Sequence, residues 1–398
     1  METDAAVKAF NFTRTPNIIF GPGAFDIAPK LLREAGRNAL IVTGAKSYKE
    51  SGRWEKLTES LNSNSIRWYH LTVKGEPTPE LVDAAAAEFR AKNINVVLAW
   101  GGGSAIDAGK AVSAMIPQKG ATLDYLETVG TGAKHNGVKV PFIAVPTTSG
   151  TGSEATKNSV LRRVGPDGFK NSLRHDNLVP DTAIIDPELM VSCPPDVTAA
   201  CGMDAFTQLL ESYVSTGATP MTDALALSGL ECVRDNLARA CTDGARDVGV
   251  RGGMAYAALM SGITLANAGL GLVHGLAGPI GGFHDIPHGV VCGAIMGAVF
   301  SATIDKLLEN HGSDALAIRK FARAGSLLMC AGAIDTVTGC RMLVERIGEW
   351  TETLKIPRLG AFGIKESDLD RIAAAASNKN NPVRLSPAEI RDVLLKRL

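Results

Sequence analysis

The sequence lacks the features that would tie it to nucleic acid or to a membrane. Lys plus Arg and Asp plus Glu each number 41 among 398 residues, so the formal net charge is zero. Proteins that bind phosphate backbones or acidic lipid surfaces need a clustered excess of positive charge. No uninterrupted apolar run reaches the length that spans a bilayer, because Gly, His, Asp or Asn interrupt the longest ones. We therefore expect no nucleic-acid partner and no membrane association.

Cysteine pairs are missing as well. The seven cysteines are an odd number, and none forms a Cys-x-x-Cys motif. No basic start followed by an apolar segment marks a secretory signal. These features predict reduced, mostly buried thiols in a cytoplasmic protein.

What is present is an ordinary globular composition, with 45% apolar and 21% charged residues. In the first half, short segments rich in β-branched residues alternate with amphipathic ones. This alternation predicts a mostly parallel sheet with helices on both faces. The predicted strands are 17–20, 38–43, 94–100, 140–145 and 182–186, and the predicted helices between them include 24–36 and 78–93.

After about residue 190 the strand pattern ends, and long Ala-, Leu- and Gly-rich segments follow with helical periodicity. The helices predicted there are 196–216, 221–241, 248–268, 289–309, 336–355 and 385–397. Pro194 and Pro195 mark the boundary before the first of them. We therefore predict an α/β domain over residues 1–190 and an all-helical domain over residues 191–398.

Two loops that follow buried strands are rich in glycine, serine and threonine. In "GGGSAIDAGKA" (101–111) a strand leads directly into a helix, and such a turn lets backbone N–H groups approach an anion. "PTTSGTGSEAT" (146–156) follows the next strand and places five hydroxyl groups within residues 147–154. The alternatives are a tight turn capped by Ser104 and a hydrogen-bonded surface turn. Open α/β sheets bind ligands at neighbouring strand ends, so the two loops together predict a nucleotide or diphosphate site.

The helical half carries a candidate metal site. Asp204 and Gln208 stand four residues apart in a predicted helix and so point from one face. His274 and His288 follow in "GLVHGLAG" and "DIPHGVV". Carboxylate oxygen and imidazole nitrogen are ligands for iron or zinc, whereas a glutamine amide is a poor one.

Together these motifs resemble the iron-containing, group III alcohol dehydrogenases. Five stretches occur in that family's order: "GGGSAIDAGKA", "PTTSGTGSEAT", "GMDAF", "GLGLVHGLAGPIGGFHDIPHG" and "NNPVR". The resemblance covers nearly the whole chain. It implies a dinucleotide-binding α/β domain, a helical domain and an active site in the cleft between them. It also implies NAD(P)-dependent interconversion of alcohols with aldehydes or ketones, in a homodimer or a larger assembly.

The resemblance also assigns roles to individual residues. It implies that Asp204, His274 and His288 bind Fe²⁺ or Zn²⁺ and that Asn158 lies near the substrate. The cofactor-binding residues that it implies are Gly101, Gly102, Gly103, Ser104, Asp107, Thr147, Thr148 and Thr151.

Two positions depart from the family pattern. The histidine that commonly stands four residues after the aspartate is Gln208 here, and a second histidine four residues after His274 is replaced by Gly278. Three interpretations of Gln208 are open. The site keeps three protein ligands and a free position, or Gln208 itself ligates weakly, or metal binding is lost as in the maleylacetate reductases.

His284 is a candidate for the catalytic imidazole that is absent at position 278. It stands four residues before His288, so a helical segment would place both histidines on one face. The neighbouring glycines and Pro287 favour a loop instead. The alternative is therefore a loop histidine that faces solvent.

One segment bears on cofactor choice. Relatives that prefer NAD often carry an aspartate at the position of Gly44. A carboxylate there accepts hydrogen bonds from the ribose 2′-hydroxyl and repels a 2′-phosphate. Its absence, with Lys46, Ser47 and Lys49 nearby, favours NADP over NAD. The alternative is that these lysines are an exposed helix start.

We therefore expect hydride transfer between a nicotinamide and a small alcohol or carbonyl substrate that a divalent metal polarises. Two alternatives stay open: a metal-independent reductase of the same fold, and a nucleotide-binding protein that has lost catalysis. Positive charge near Asn158 would suit an acidic substrate, but solvated charges on a hairpin explain it equally simply. The residues concerned are Lys157, Arg162, Arg163 and Arg174.

Overall fold

The structure, a computed structural model, describes residues 9–398. Its strands are β1 (Asn17–Phe20), β2 (Asn38–Thr43), β3 (Arg67–Thr72), β4 (Val96–Gly101), β5 (Phe142–Pro146), β6 (Asn158–Arg163), β7 (Phe169–Arg174) and β8 (Thr182–Ile185). Its α-helices are α1 (Ala28–Ala35), α2 (Ser47–Glu50), α3 (Trp54–Ser63), α4 (Pro79–Arg90), α5 (Gly103–Met115), α6 (Pro195–Val214), α7 (Pro220–Ala240), α8 (Val248–Ala268), α9 (Leu272–Phe283), α10 (His288–His311), α11 (Leu316–Leu328), α12 (Thr336–Thr353), α13 (Glu366–Ala375) and α14 (Pro387–Leu395).

Six parallel strands form the central sheet in the order β1-β8-β5-β4-β2-β3. Every residue of β4 is buried, as expected of a strand covered on both faces. The chain runs from β2 outward to β3 and then returns to β4, from which it runs the other way through β5 to β8. The strand order therefore reverses between β2 and β4, and such a reversal is where open α/β sheets bind ligands.

The predicted α/β sheet is confirmed, and the five predicted strands are all present. The sequence patterns missed β3 because it is an edge strand whose residues are partly exposed and only weakly apolar. They also assigned no strands to β6 and β7, which pair as an antiparallel hairpin outside the main sheet. This hairpin contacts α9 and so reaches from the sheet to the helical part of the chain.

All α-helices from α6 onward belong to the second half of the chain, and the six helices predicted there are confirmed. Helix α6 lies against α7, α8 and α10, and 16 of its 20 residues are buried. Polar side chains on such a helix need partners in the interior, which makes α6 the natural carrier of a site. The last strand ends at Ile185 and α6 begins at Pro195; the division into domains at residue 190 stays a prediction.

Helix α9 was missed because it contains Pro279 and four glycines, which are typical of loops. Close packing explains two of these glycines. A Cβ on Gly275 would lie 1.9 Å from the Ser377 carbonyl oxygen, and one on Gly282 would lie 2.9 Å from Phe169 Cα. Tertiary contacts thus override the low helix propensity of glycine.

Helix α10 has the length and composition of a membrane span, with a mean hydropathy of 1.6 over 18 residues. However, 61% of that window is buried inside the structure. This combination is typical of the core helix of a globular protein, and α10 contacts α6, α9, α11, α12 and α14.

Candidate active site

Four side chains from three helices converge in the interior. Asp204 comes from α6, His274 from the first turn of α9, and His288 and Cys292 from the first two turns of α10. Their ligand-type atoms all lie within 4.8 Å of one another. Asp204 Oδ1 is 3.3 Å from His274 Nε2 and 3.7 Å from His288 Nε2. The structure thus brings together the three residues that the sequence nominates as metal ligands.

Glu211 fixes the orientation of His274. It lies two turns after Asp204 on α6, it is 1% exposed, and its Oε2 is 2.6 Å from His274 Nδ1. Its Oε1 accepts a hydrogen bond from the Val273 main-chain N–H at 2.7 Å, which satisfies a free donor at the start of α9. Because Nδ1 is engaged with a carboxylate, Nε2 is left facing the cluster, which is the usual arrangement around a metal-bound histidine.

The electrostatics of the cluster favour a cation. Burial raises the pKa of Asp204, but His288 and His274 more than offset this, and the pKa lies below its ordinary value. Burial lowers the pKa of His274, yet Cys292, Asp204 and Glu211 raise it well above its ordinary value. Burial lowers the pKa of His288 to about 4, and Lys170 adds to this effect. A neutral His288 ring beside a buried carboxylate offers a lone pair to a positive ion.

A divalent metal ion fits these donors. In a tetrahedral site with metal–oxygen and metal–nitrogen distances of about 2.0–2.1 Å, neighbouring ligand atoms are about 3.3 Å apart. The two Asp204–histidine distances of 3.3 and 3.7 Å are close to that spacing. Carboxylate and imidazole are also the donors that Fe²⁺ and Zn²⁺ share.

Gln208 lies beside the cluster but has another partner. It is 3% exposed, and its Oε1 accepts a hydrogen bond of 2.7 Å from Ser261 Oγ on α8. This hydrogen bond occupies one of the two lone pairs of the amide oxygen, and Gln208 also lines the cavity that His274 and His288 line, so ligation by Gln208 stays a prediction. Of the three interpretations of Gln208, the geometry favours the one in which other protein residues bind the metal.

A glycine follows each of the two histidines, and both glycines touch the backbone of another segment. A Cβ on Gly289 would lie 2.3 Å from the Ala200 carbonyl oxygen of α6. This close approach lets the start of α10 lie against α6, which places His288 opposite Asp204. Gly275 instead lets the start of α9 lie against the backbone of Ser377.

The two glycine- and hydroxyl-rich loops meet at the carboxyl ends of β4 and β5. A Cβ on Gly103 would lie 2.5 Å from Thr151 Cγ2, and one on Gly102 would lie 3.4 Å from Thr148. Gly102 is the N-cap of α5, and within residues 9–398 no side chain caps the helix by a hydrogen bond. Ser104 is therefore not the cap, and the free N–H groups at the start of this 13-residue helix are available to an anion.

The end of β2 joins the same group of loops. A Cβ on Gly101 would lie 3.0 Å from the Gly44 nitrogen, so β2 and β4 come together where the strand order reverses. Thr147 Oγ1 donates a hydrogen bond to Ser47 Oγ at 3.3 Å. Lys46 is the exposed residue that precedes α2. The structure therefore places all the predicted cofactor residues along one edge of the sheet.

A cavity of about 300 Å³ connects the loops to the candidate metal site. Gly103, Ser104 and Thr151 line it on the sheet side, and His274 and His288 line it on the helical side. Asp204 and Cys292 are not among its lining residues. A ligand in this space would contact the glycine loop and the imidazoles at once, and the volume is at the low end of the range for small-molecule sites.

Two buried charged residues of α5 position the loop that lines the cavity. Lys110 is fully buried, and its Nζ donates to the main-chain oxygens of Ser153, Thr156 and Asn158 at 2.7–2.9 Å. Burial lowers the pKa of Lys110 to about 8. Asp107 lines the cavity, but it accepts hydrogen bonds from Ser153 Oγ and from the Val160 N–H. Asp107 therefore positions the loop, and a direct contact to the cofactor stays a prediction.

The hairpin supplies the remaining wall of the cavity. Asn158 lines it, as expected of a residue near the substrate, and so do Lys170 and Arg174. Lys170 Nζ forms an ion pair with Glu76 at 2.9 Å, and Arg174 pairs with Glu127. The other basic residues of this hairpin region also pair with carboxylates: Lys157 with Asp176, Arg162 with Glu76 and Asp285, and Arg163 with Glu80. These charges are thus paired, but Arg162 is only 14% exposed and Arg174 lines the cavity, so an acidic substrate stays a prediction.

His284 lies away from the cavity. It follows the last residue of α9 in the short loop before α10, as its glycine and proline neighbours predict. Its Nε2 is 4.0 Å from Asp368 Oδ2, and it is not among the residues that line the cavity. The expectation that His284 supplies the catalytic imidazole does not fit this placement.

We accordingly expect the His284→Ala substitution to leave kcat and its pH profile unchanged within about twofold, because the ring does not reach the reacting groups. Steady-state turnover across the pH range checks this. A tenfold or larger fall in kcat, with the variant still folded, would show that His284 takes part in catalysis.

Two residues of the cluster were missed in the sequence. Cys292 stands four residues after His288, which places both on one face of α10, but an isolated cysteine is more often a core residue. Glu211 stands seven residues after Asp204, also on one face, but its partner is 63 residues further along the chain. The helical spacing from a nominated ligand is the signal that could have found both.

Comparisons with known proteins agree over nearly the whole chain. Residues 15–187 match the family described as "Iron-containing alcohol dehydrogenase", and residues 198–398 match "Fe-containing alcohol dehydrogenase family, C-terminal". The Long-chain-alcohol dehydrogenase 1 of Geobacillus thermodenitrificans (strain NG80-2) is 32% identical over 385 residues, which cover 94% of this chain and 93% of that protein.

Two further relatives show the same extent of similarity. The NAD-dependent methanol dehydrogenase of Bacillus methanolicus is 30% identical over 375 residues, covering 92% of this chain and 93% of that protein. The crystal structure of a 1,3-propanediol oxidoreductase superposes with a TM-score of 0.85 at 29% identity and covers 98% of this chain and 100% of its own.

Proposed function

Because the chain belongs to the iron-containing alcohol dehydrogenase family, we propose that its cavity receives the nicotinamide of the cofactor beside a divalent metal ion bound by Asp204, His274 and His288. The protein is an NAD(P)-dependent alcohol dehydrogenase that acts on small alcohol or carbonyl substrates. The observation that carries the proposal is the cavity lined by the first residues of α5 at one end and by both histidines at the other.

When both groups are bound, the nicotinamide supplies or accepts hydride and the metal ion polarises the substrate oxygen. The chain's own residues bind and orient. The free N–H groups at the start of α5, with Ser104, would bind the pyrophosphate. Glu211 keeps the His274 ring in one orientation. Leu265 and Leu270 give the cavity apolar walls, which limits water around the reacting carbon.

Position 278 is a glycine and provides no imidazole for proton transfer. Gly278 lines the cavity, and among the described residues a Cβ there would meet only the Lys170 carbonyl oxygen, at 3.9 Å. We propose that the proton is exchanged through water in this space or through a ribose hydroxyl of the cofactor. The room left by the missing side chain supports this route.

The test is metal analysis of protein purified without added metal, with aldehyde reduction by NADPH and NADH assayed before and after chelation. We expect about one Fe or Zn per chain, activity that falls at least about 100-fold on chelation, and recovery when metal is restored. The expected loss follows from the several kcal/mol that a metal contributes to stabilising charge in the transition state.

Other outcomes would contradict the proposal in distinct ways. Full activity in metal-free protein would place the enzyme with the metal-independent reductases of the same fold. Bound metal without turnover on any aldehyde or alcohol of a broad panel would favour a nucleotide-binding protein that has lost catalysis.

Preference for NADP over NAD is a narrower proposal, supported by the absence of a carboxylate at Gly44 and by the exposed Lys46 and Lys49. A Cβ at Gly44 would meet only Ser47 Oγ, at 3.8 Å, so a side chain fits there. We expect Gly44→Asp to shift the ratio of kcat/KM for NADPH to that for NADH by at least about tenfold towards NADH, because the carboxylate would repel a 2′-phosphate.

The matched control is Gly44→Ala, which fills the same space without charge and should leave the ratio within about twofold. A wild-type protein that already prefers NADH clearly would contradict the proposal.

A cytoplasmic location and a homodimeric or larger assembly are also proposed. The seven cysteines are all free, which supports a reducing compartment.

Edge strand β1 exposes Ile18 and Phe20, at 36% and 42%, which supports a second copy at that edge. Light scattering of the purified protein would show a single-chain mass if the assembly is absent.

A further inference from the structure

The cluster has a fourth side chain that the family pattern does not supply. Helix α6 provides Asp204, but the residue one turn later is Gln208, whose Oε1 is held by Ser261. Helix α10 provides His288, and the residue one turn later is Cys292. Building on the proposed function, we propose that the Cys292 thiolate is the fourth protein ligand of the metal ion. The second ligand of α6 is thus replaced by a second ligand from α10.

The distances support a sulfur ligand. Cys292 Sγ is 3.7 Å from His274 Nε2 and 3.9 Å from His288 Nε2. In a tetrahedral site with a metal–sulfur distance of about 2.3 Å and metal–nitrogen distances of about 2.0–2.1 Å, sulfur and nitrogen are about 3.6 Å apart. Of the Asp204–histidine distances, 3.3 Å equals the oxygen–nitrogen edge of such a tetrahedron, and 3.7 Å is about 0.4 Å longer than that edge. The four donor atoms, all within 4.8 Å of one another, are thus spaced closely enough to share one metal ion.

The charges also balance. Cys292 is fully buried, and its Sγ has two imidazole nitrogens as neighbours. A coordinating thiol is deprotonated, and the charges of one thiolate and one carboxylate would cancel those of a divalent ion. With two neutral imidazoles, the ion and its four ligands would then carry no net charge among them, while the Glu211 carboxylate beside His274 Nδ1 stays outside this sum.

The cavity reaches the cluster at its two histidines. His274 and His288 line the cavity, whereas Asp204 and Cys292 do not. The thiolate would therefore hold the ion from the protein side and leave the cavity side accessible. Because thiolate is a soft ligand, it shifts the site's preference from iron towards zinc and cobalt.

The experiment uses the full chain, stripped by chelation and reloaded with Co²⁺ alone. We expect one cobalt per chain and a sulfur-to-cobalt charge-transfer band in the near ultraviolet. Cys292→Ser should abolish this band and weaken cobalt binding by at least about tenfold. Cys340→Ser is the matched control: its thiol is also buried, but it lies on α12, where Sγ donates to the Ile318 carbonyl oxygen, and the band should remain.

A second measurement keeps the test valid if Cys292→Ser does not fold. X-ray absorption of the zinc-loaded wild-type protein should show one sulfur neighbour at about 2.3 Å. One metal per chain with only oxygen and nitrogen neighbours, and no charge-transfer band, would overturn the role of Cys292 and leave the proposed function intact. No metal binding at all, with dehydrogenase activity retained, would instead overturn the metal-dependent function on which the inference rests.

Discussion

Asp204→Ala should remove bound metal and lower kcat/KM at least about 1000-fold. Asp204 is 1% exposed, and its carboxylate faces both histidines at 3.3 and 3.7 Å, so it supplies the negative charge that holds a cation in the interior. A 1000-fold loss corresponds to about 4 kcal/mol of transition-state stabilisation, which is within the range that a metal ion contributes. Metal content and steady-state kinetics on the same preparation check the prediction.

Two controls separate this effect from a general loss of structure. Asp243→Ala removes an exposed carboxylate and should retain both metal and activity. Thermal unfolding of Asp204→Ala in the presence of chelator should resemble that of the metal-free wild-type protein. A fully active Asp204→Ala protein would contradict the assignment of Asp204 as a ligand.

Gly289→Ala should lower kcat/KM about 100-fold, although position 289 contributes no functional group. Its Cβ would lie 2.3 Å from the Ala200 carbonyl oxygen and 2.6 Å from the carbonyl carbon, and both are backbone atoms that no rotamer change can move. The start of α10 must then shift from α6 by roughly 1 Å, and a misplacement of that size can cost about 100-fold in rate. Metal affinity should fall with activity, because His288 moves away from Asp204.

Gly348→Ala on α12 provides the matched control, since a Cβ there has no atom within 4 Å. It should leave kinetics unchanged and raise the free energy of unfolding by up to about 1 kcal/mol, because alanine favours the helix more than glycine does. Unchanged metal affinity in folded Gly289→Ala would show that the two helices tolerate a wider separation.

The sequence predicted the parts of the site that have local signatures. The loop before α5 and the loop after β5 each combine a buried strand, glycines and hydroxyl groups within a few residues, so both were nominated and both lie at the sheet edge. Asp204, His274 and His288 were nominated from their resemblance to family motifs, and they converge.

The parts that depend on distant contacts could not be predicted. Nothing within a few residues of Gln208 indicates that Ser261, 53 residues away, holds its amide oxygen. The placement of His284 beside Asp368 depends on how α13 packs against α9. Helix α9 itself has a loop-like composition, and only its backbone contacts with other segments make it a helix.

The convergence of α6, α9 and α10 has a further consequence, for folding stability. The donors lie on three separate helices, so a bound ion would act as a crosslink that exists only in the folded state. At a free metal concentration 100 times its dissociation constant, this linkage adds about 2.7 kcal/mol to the free energy of unfolding. The lifetime of the helical half in a cell would therefore depend on metal supply, and metal starvation would lower the amount of folded protein as well as the activity of each molecule.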